Sequence, residues 1–258
     1  PTRGGASSLP TSARAEARGS LGEDPSLALG VRKRLGPLLP RPAALACMLL
    51  FTLMTVSFVL AMTKTETANA LTLQYTSTFW IFVLSPWVRE KPRREDVRLL
   101  AIAVPGIAII FAGNSTTSAG GLSIALSSGL FFGLLTLLLR HLRDSEPVVV
   151  TVFNNLGAAV LLLPFCVGIG GLAISQRSLI LLAAMGVVQF GVPYYLYTLA
   201  LARVPAATAG LVTLLEPVLA PLWTFMVLGE RVPTATMLGG ALILLALGML
   251  ARNARARR

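Results

Sequence analysis

The sequence is short of the residues from which most soluble chemistry is built. Only 13% of its 258 residues are charged, against about a quarter in a soluble domain. Histidine occurs once, at His141, and cysteine twice, at Cys47 and Cys166, each within an apolar run. No pair of loop cysteines and no C-x-x-C argues for a disulfide framework. A metal centre built on histidine or cysteine clusters is excluded for the same reason. The stretches G-x-x-x-x-G-K-[ST], G-x-G-x-x-G and G-x-S-x-G are absent. ATP-driven pumping, a dinucleotide cofactor and an esterase nucleophile therefore lack their sequence support, and no cofactor is expected.

What the chain has in excess is apolar surface. Hydrophobic residues make up 55%, with a mean hydropathy of +0.75, more than one globular core can bury. The lipid bilayer is the expected solvent. A formal charge of +11 could suggest nucleic acid, but the basic residues sit at the ends of apolar runs, as in cytoplasmic loops of membrane proteins. No nucleic-acid partner is expected.

Eight apolar runs of about 20 residues, the length that crosses a hydrocarbon layer, cover 43–63, 67–88, 97–113, 120–140, 147–168, 178–201, 206–228 and 234–251. Continuous runs predict helices, since barrel strands would alternate polar and apolar residues. Under strict alternation sixteen flanking Lys and Arg fall on one side and three, Lys64, Arg177 and Arg231, on the other. That bias predicts a multi-pass protein of the plasma or inner membrane with both termini cytoplasmic. Residues 1–42 are polar and basic, lack the apolar core of a signal peptide and are expected to be disordered. Residues 252–258 read as a basic cytoplasmic tail, and REKPRRED at 89–96 as a solvated loop.

The order of spans repeats. TANA at 67–70 opens a helix leading to REKP at 89–92, and AATAG at 206–210 opens another leading to GERVP at 229–233, an offset of 137–140 residues. The unit 120–251 holds five helices, so equivalent helices cross in opposite directions, the inverted-repeat pattern of many secondary transporters. The unit 43–113 holds three. Its missing pair would fall at or before residues 10–31, where the polar tail lies, and residue 1 is Pro. The expectation is an N-terminally truncated form of a ten-helix protein.

LLEPVLAPLWTFMVLGERVPTATMLGGALILLALG at 214–248, TETANALTLQYTSTFW at 65–80 and FNNLGAAVLLLPF at 153–165 resemble parts of the EamA-type repeats of the drug/metabolite transporter superfamily. The resemblance spans about 43–251. It implies an all-α integral membrane carrier of two inverted EamA-type repeats, eight helices visible of ten, that moves a small-molecule substrate by secondary transport. The chain departs from the family in lacking the first two helices and in carrying Thr78 where the first repeat often has proline.

Glu216, near the centre of 206–228, is the sharpest candidate for function. An ionisable group there costs on the order of 2.5–3.5 kcal/mol on insertion scales and faces a bundle interior or wet cavity. It suits a proton-coupling carboxylate; a protonated Glu bonding a neighbouring helix is the competing structural role. Pro217 and Pro221 free the carbonyls of Thr213 and Pro217. Thr213, Glu216, Ala220 and Trp223 form one stripe, and Asn69, Thr72, Tyr75 and Thr76 form a polar face on 67–88, with Gln74 beside it and Trp80 extending it. Cavity lining and interhelical hydrogen bonding explain that face about equally. Asn154, Asn155, Gln189, Tyr194 and Tyr195 are further polar groups at membrane depth, and Pro193 frees the carbonyl of Gln189. Lys64, Glu66 and Glu230 lie at span ends, where snorkelling suffices. Gly129-x-x-x-Gly133 and Gly239-Gly240 permit close helix approach, within the bundle or, as the lesser reading, in a homodimer. Two rivals to a transporter remain: a degenerate, non-transporting membrane protein, and a membrane enzyme, which would need convergent acids, histidines or thiols that the spans do not offer.

Overall fold

A computed structural model describes residues 42–65, 67–88, 90–113, 119–168, 174–229 and 233–256. Residues 1–41, Glu66, Arg89, Glu230 and Arg231 lie outside these segments. All eight apolar runs are helical, and no strand occurs among the described residues. The helices are α1 (Pro42–Lys64), α2 (Thr67–Gln74), α3 (Ser77–Leu84), α4 (Arg94–Ala112), α5 (Ala119–His141), α6 (Pro147–Gly168), α7 (Gln176–Met185), α8 (Val192–Leu201), α9 (Ala206–Thr213), α10 (Glu216–Leu228) and α11 (Thr234–Arg255). A 3-10 turn, Ser85–Val88, follows α3, and a π turn, Gly186–Gly191, joins α7 to α8.

Among the described residues, six helical stretches are long and apolar enough to cross a membrane: Pro42–Lys64, Ala119–His141, Pro147–Gly168, Gln176–Leu201, Ala206–Val227 and Thr234–Arg255. The protein is an all-α membrane protein. Two of the eight runs fall short of that measure. The run at 67–88 is split into two eight-residue helices, and α4 opens on Arg94, Glu95, Asp96 and Arg98.

Two of the distortions have a local cause in proline. In the 206–228 run the Leu214 N–H turns back to Leu211 O at 3.2 Å and the Leu215 N–H to Val212 O at 3.0 Å, because Pro217 cannot donate to Thr213 and the chain tightens ahead of it. Gly210 O, thus deprived of its usual donor, accepts the Thr213 hydroxyl at 2.7 Å and the Thr78 hydroxyl at 2.9 Å. The 67–88 run breaks at Tyr75 and Thr76, where the Thr76 N–H turns to Leu73 O and the Thr78 N–H to Tyr75 O, both at 3.1 Å. The two breaks lie 139 residues apart, within the spacing of the sequence repeat. No proline sits in the first; Thr78 stands 139 residues before Pro217, and its hydroxyl bonds across to the other broken helix. In the 178–201 run Pro193 has a similar effect: the Val192 N–H reaches back five residues to Val187 O, which makes the π turn.

Small residues set the packing. α5 lies along α1, α2 and α3. A Cβ on Gly129 would come within 2.7 Å of Leu73 O, and one on Gly133 within 3.0 Å of Ser77 O. The glycine pair of α5 is thus spent on the broken helix inside the chain. α4 crosses α11 at Gly106 and Gly239, the second close approach. No described helix packs on α7–α8 and α9–α10 as α5 packs on α1 and α2–α3, and no residue of α7 or the π turn is buried. In consequence Ser77 is buried under Gly133, while Glu216, its counterpart 139 residues on, is exposed.

The α4–α11 crossing makes a first prediction. In Gly106→Ala the added methyl would stand 2.6 Å from Gly239 O, a backbone atom. Overpacking of this kind costs about 1–3 kcal/mol, read as a lowered thermal midpoint in detergent. Gly248→Ala, which meets open space, leaves the midpoint unchanged; equal midpoints for the two variants would show that the crossing is not close.

Candidate functional site

Glu216 is the first residue of α10, placed by the break at Leu214–Leu215. It opens onto a cavity of about 310 Å³ lined by side chains of α1, the α2–α3 break, α5, the π turn, α8 and α9. Tyr75, Gln189, Tyr194, Thr213 and Glu216, all singled out from the sequence, meet there. The Tyr75 and Tyr194 phenols line the same cavity as the Glu216 carboxyl. Tyr194 packs edge-on against Phe51 with ring centroids 4.9 Å apart, and its hydroxyl donates to Met54 Sδ at 3.4 Å. Tyr197, one turn on, also lines the cavity, its hydroxyl 3.0 Å from Thr136 Oγ1. Thr55, Gln74, Phe58, Phe132, Phe190 and Pro193 fill most of the remaining wall.

Other residues of the sequence list lie elsewhere. Asn69 and Thr72 are buried in helix packing, and Pro217 is buried beside the break. Thr76 donates to Leu73 O at 2.6 Å under Gly129. The polar face of α2 is thus largely turned to helix contacts. Asn155 donates to Thr151 O at 2.9 Å and lines a separate, mostly apolar crevice between α6 and the π turn. Trp223, two turns beyond Glu216 in the same helix α10, is 59% exposed and lies outside the cavity lining. Tyr197, Phe132 and Thr55 carried no singular signal. Only the helical spacing Tyr194-x-x-Tyr197 could have pointed to the first of them.

A second polar cluster lies at the end of the bundle that bears the basic 89–98 loop. Arg140, in the last turn of α5, holds Glu90 Oε1 with Nε at 2.5 Å. Its Nη1 donates to Leu201 O at 2.6 Å and Ala202 O at 3.2 Å. Glu90 Oε2 accepts the Ala206 N–H at 3.2 Å. The guanidinium thus satisfies carbonyls at the end of α8 and the carboxylate a donor at the start of α9, complementing both helix ends. One ion pair joins four chain segments. A small pocket of about 150 Å³ lies beside it, lined by Lys91, Arg93, Asp96 and Pro205 among others. The loop read as solvated is therefore anchored at Glu90 by a pair only 13% and 23% exposed at its side chains. Among the described residues no group of three or more His, Cys, Asp or Glu side chains could hold a metal ion.

Broken helices around a central carboxyl, in a bundle of apolar spans, define a class of membrane proteins that handle solutes at mid-depth. The EamA-like transporter family matches residues 119–252, and the chain belongs to that family; it is a multi-pass membrane protein of transporter type. An uncharacterised transporter of Archaeoglobus fulgidus is 26% identical over 196 residues, 75% of this chain and 71% of the relative. An uncharacterised protein of Pseudomonas aeruginosa is 36% identical over 157 residues, 56% of this chain and 53% of the relative. A protein of known crystal structure superposes with a TM-score of 0.62 at 16% identity, covering 90% of this chain and 94% of that one, a likeness of fold.

The ion pair generates a second prediction. In a double-mutant cycle, Glu90→Gln and Arg140→Gln should each lower the denaturation midpoint. Their coupling energy should be on the order of 0.5–3 kcal/mol, as for side chains in direct contact. Strict additivity of the two losses would mean that the pair contributes nothing as a pair.

Proposed function

We propose that the chain carries a small metabolite or drug across the plasma or inner membrane by alternating access, driven by proton exchange through Glu216. The observation that carries this reading is the position of Glu216 at the break of a spanning helix, open to a cavity shared with the break of its repeat partner. A carboxyl at that depth is costly unless it is wet or paired, and a group that gains and loses a proton there can exchange it for a solute. The inverted repeat of three and five helices supplies two halves to rock against each other, with both termini cytoplasmic by the distribution of basic residues. The Glu90–Arg140 cluster ties the two halves at the end of the bundle bearing the basic loop, consistent with a state in which that end is shut.

The second reading, a non-transporting remnant, draws on the groove of α7–α8 and α9–α10 that no described helix fills. Flux separates the two. Proteoliposomes of the chain, loaded with a pH-sensitive dye, are challenged with a panel of amines, amino acids, sugars and nucleosides. Transport predicts that at least one compound releases protons in a protein-dependent way. Glu216→Gln should return that signal to the protein-free baseline, while Glu216→Asp keeps part of it. Signal retained in Glu216→Gln removes this carboxyl from the mechanism, and no signal for any compound favours the remnant.

A further inference from the structure

The lining of the Glu216 cavity has one sign of charge. Of its fourteen residues Glu216 alone is acidic and none is Lys, Arg or His. Three phenols line the cavity with the carboxyl: Tyr75 from the α2–α3 break, and Tyr194 with Tyr197 from α8. α1 contributes Met54, Thr55, Phe58 and Val59, α5 contributes Phe132, and the π turn contributes Gln189 and Phe190. Nothing on the described walls neutralises Glu216. A positive partner within the cavity would therefore be a proton or the bound molecule itself.

The same walls are poor receptors for an anionic group. Phosphate and carboxylate recognition calls for Arg, Lys or free helix N–H groups. The amides at the start of α10 are already engaged: Val218 and Leu219 both donate to Leu215 O, at 3.2 and 3.0 Å, and Pro217 has no N–H. At the start of α3, Thr78 and Trp80 donate to Tyr75 O and Thr76 O. The Thr213 hydroxyl is held by Gly210 O. What the walls offer besides the acid is aromatic face, three tyrosines and three phenylalanines, suited to an apolar ring and to a cation over a ring. A cavity of about 310 Å³ lies at the small end of ligand pockets.

We propose that this cavity selects organic monocations, an amine or quaternary ammonium on a small aromatic body with no anionic group, bound with the cation between Glu216 and the Tyr75 and Tyr194 rings. The inference rests on reading the cavity as the solute site, and it narrows the solute. Cation and proton then compete for one carboxylate, which is itself an exchange mechanism.

The test measures binding, separately from flux. Radiolabelled trimethyl(2-phenylethyl)ammonium, charged at every pH, is dialysed against the full chain in lipid nanodiscs. Glu216→Gln should weaken binding about tenfold or more. Unlabelled probe should displace it, whereas phenylalanine, 3-phenylpropionate and the uncharged tert-butyl isostere should not. Tyr194→Leu should weaken binding and Tyr194→Phe preserve it, which keeps the proposal open to refutation if Glu216→Gln does not fold. The proposal is overturned if the probe does not bind, if the zwitterion or anion displaces it equally well, or if the leucine and phenylalanine variants bind alike. Cation binding without flux would refute transport and leave the cation site standing. Flux of an anion or zwitterion without cation binding would do the reverse.

Discussion

Inside a hydrocarbon layer a carbonyl that loses its N–H donor has no water to turn to, and the centre of this protein is organised around that constraint. Pro217 removes one donor, the chain tightens, and Gly210 O is released in mid-span. Its new partners are two hydroxyls, Thr213 from its own helix and Thr78 from the other broken helix. Close packing makes this possible: a Cβ on Gly210 would stand 3.0 Å from Ile81 Cδ1. The bond that repairs the break also joins the two broken helices whose breaks bring Tyr75 and Glu216 to one cavity.

The two breaks are alike in backbone and unlike in surroundings. At the first, Gly129 and Gly133 let α5 lie directly on the broken backbone and bury Ser77. At the second no described helix performs that part, so a carboxyl occupies the place of the serine and remains accessible. That difference in surroundings leaves a carboxyl beside a cavity where the first break has a packing contact. A buried, unpartnered Glu would carry the full desolvation cost, whereas one beside a hollow can be wet, paired or neutral.

Much of this was legible in the residues. Eight apolar runs became helices, and the flanks of Pro193 and Pro217 became the distorted turns that missing N–H groups require. Glu216, Thr213, Tyr75, Gln189 and Tyr194 were found by asking which polar groups stand at membrane depth, and they meet in one cavity. The same question also drew in Asn69, Thr72 and Thr76, because polarity at depth is equally well explained by helix packing. Trp223 fell outside for a different reason: it shares α10 with Glu216, but two turns on that helix is exposed and beyond the cavity, so one stripe did not make one site.

Local chemistry, then, set what the chain could decide alone: where hydrophobic length makes a span, where an imino acid denies a donor, which single acid lies among apolar neighbours. Those depend on residues within a turn or two of each other. Which face of each helix turns inward, and that Glu90 and Arg140 should find one another across fifty residues, rested on the packed bundle. Such pairings depend on how close two backbones can come, and that distance is settled by glycines and hydroxyls on both partners at once.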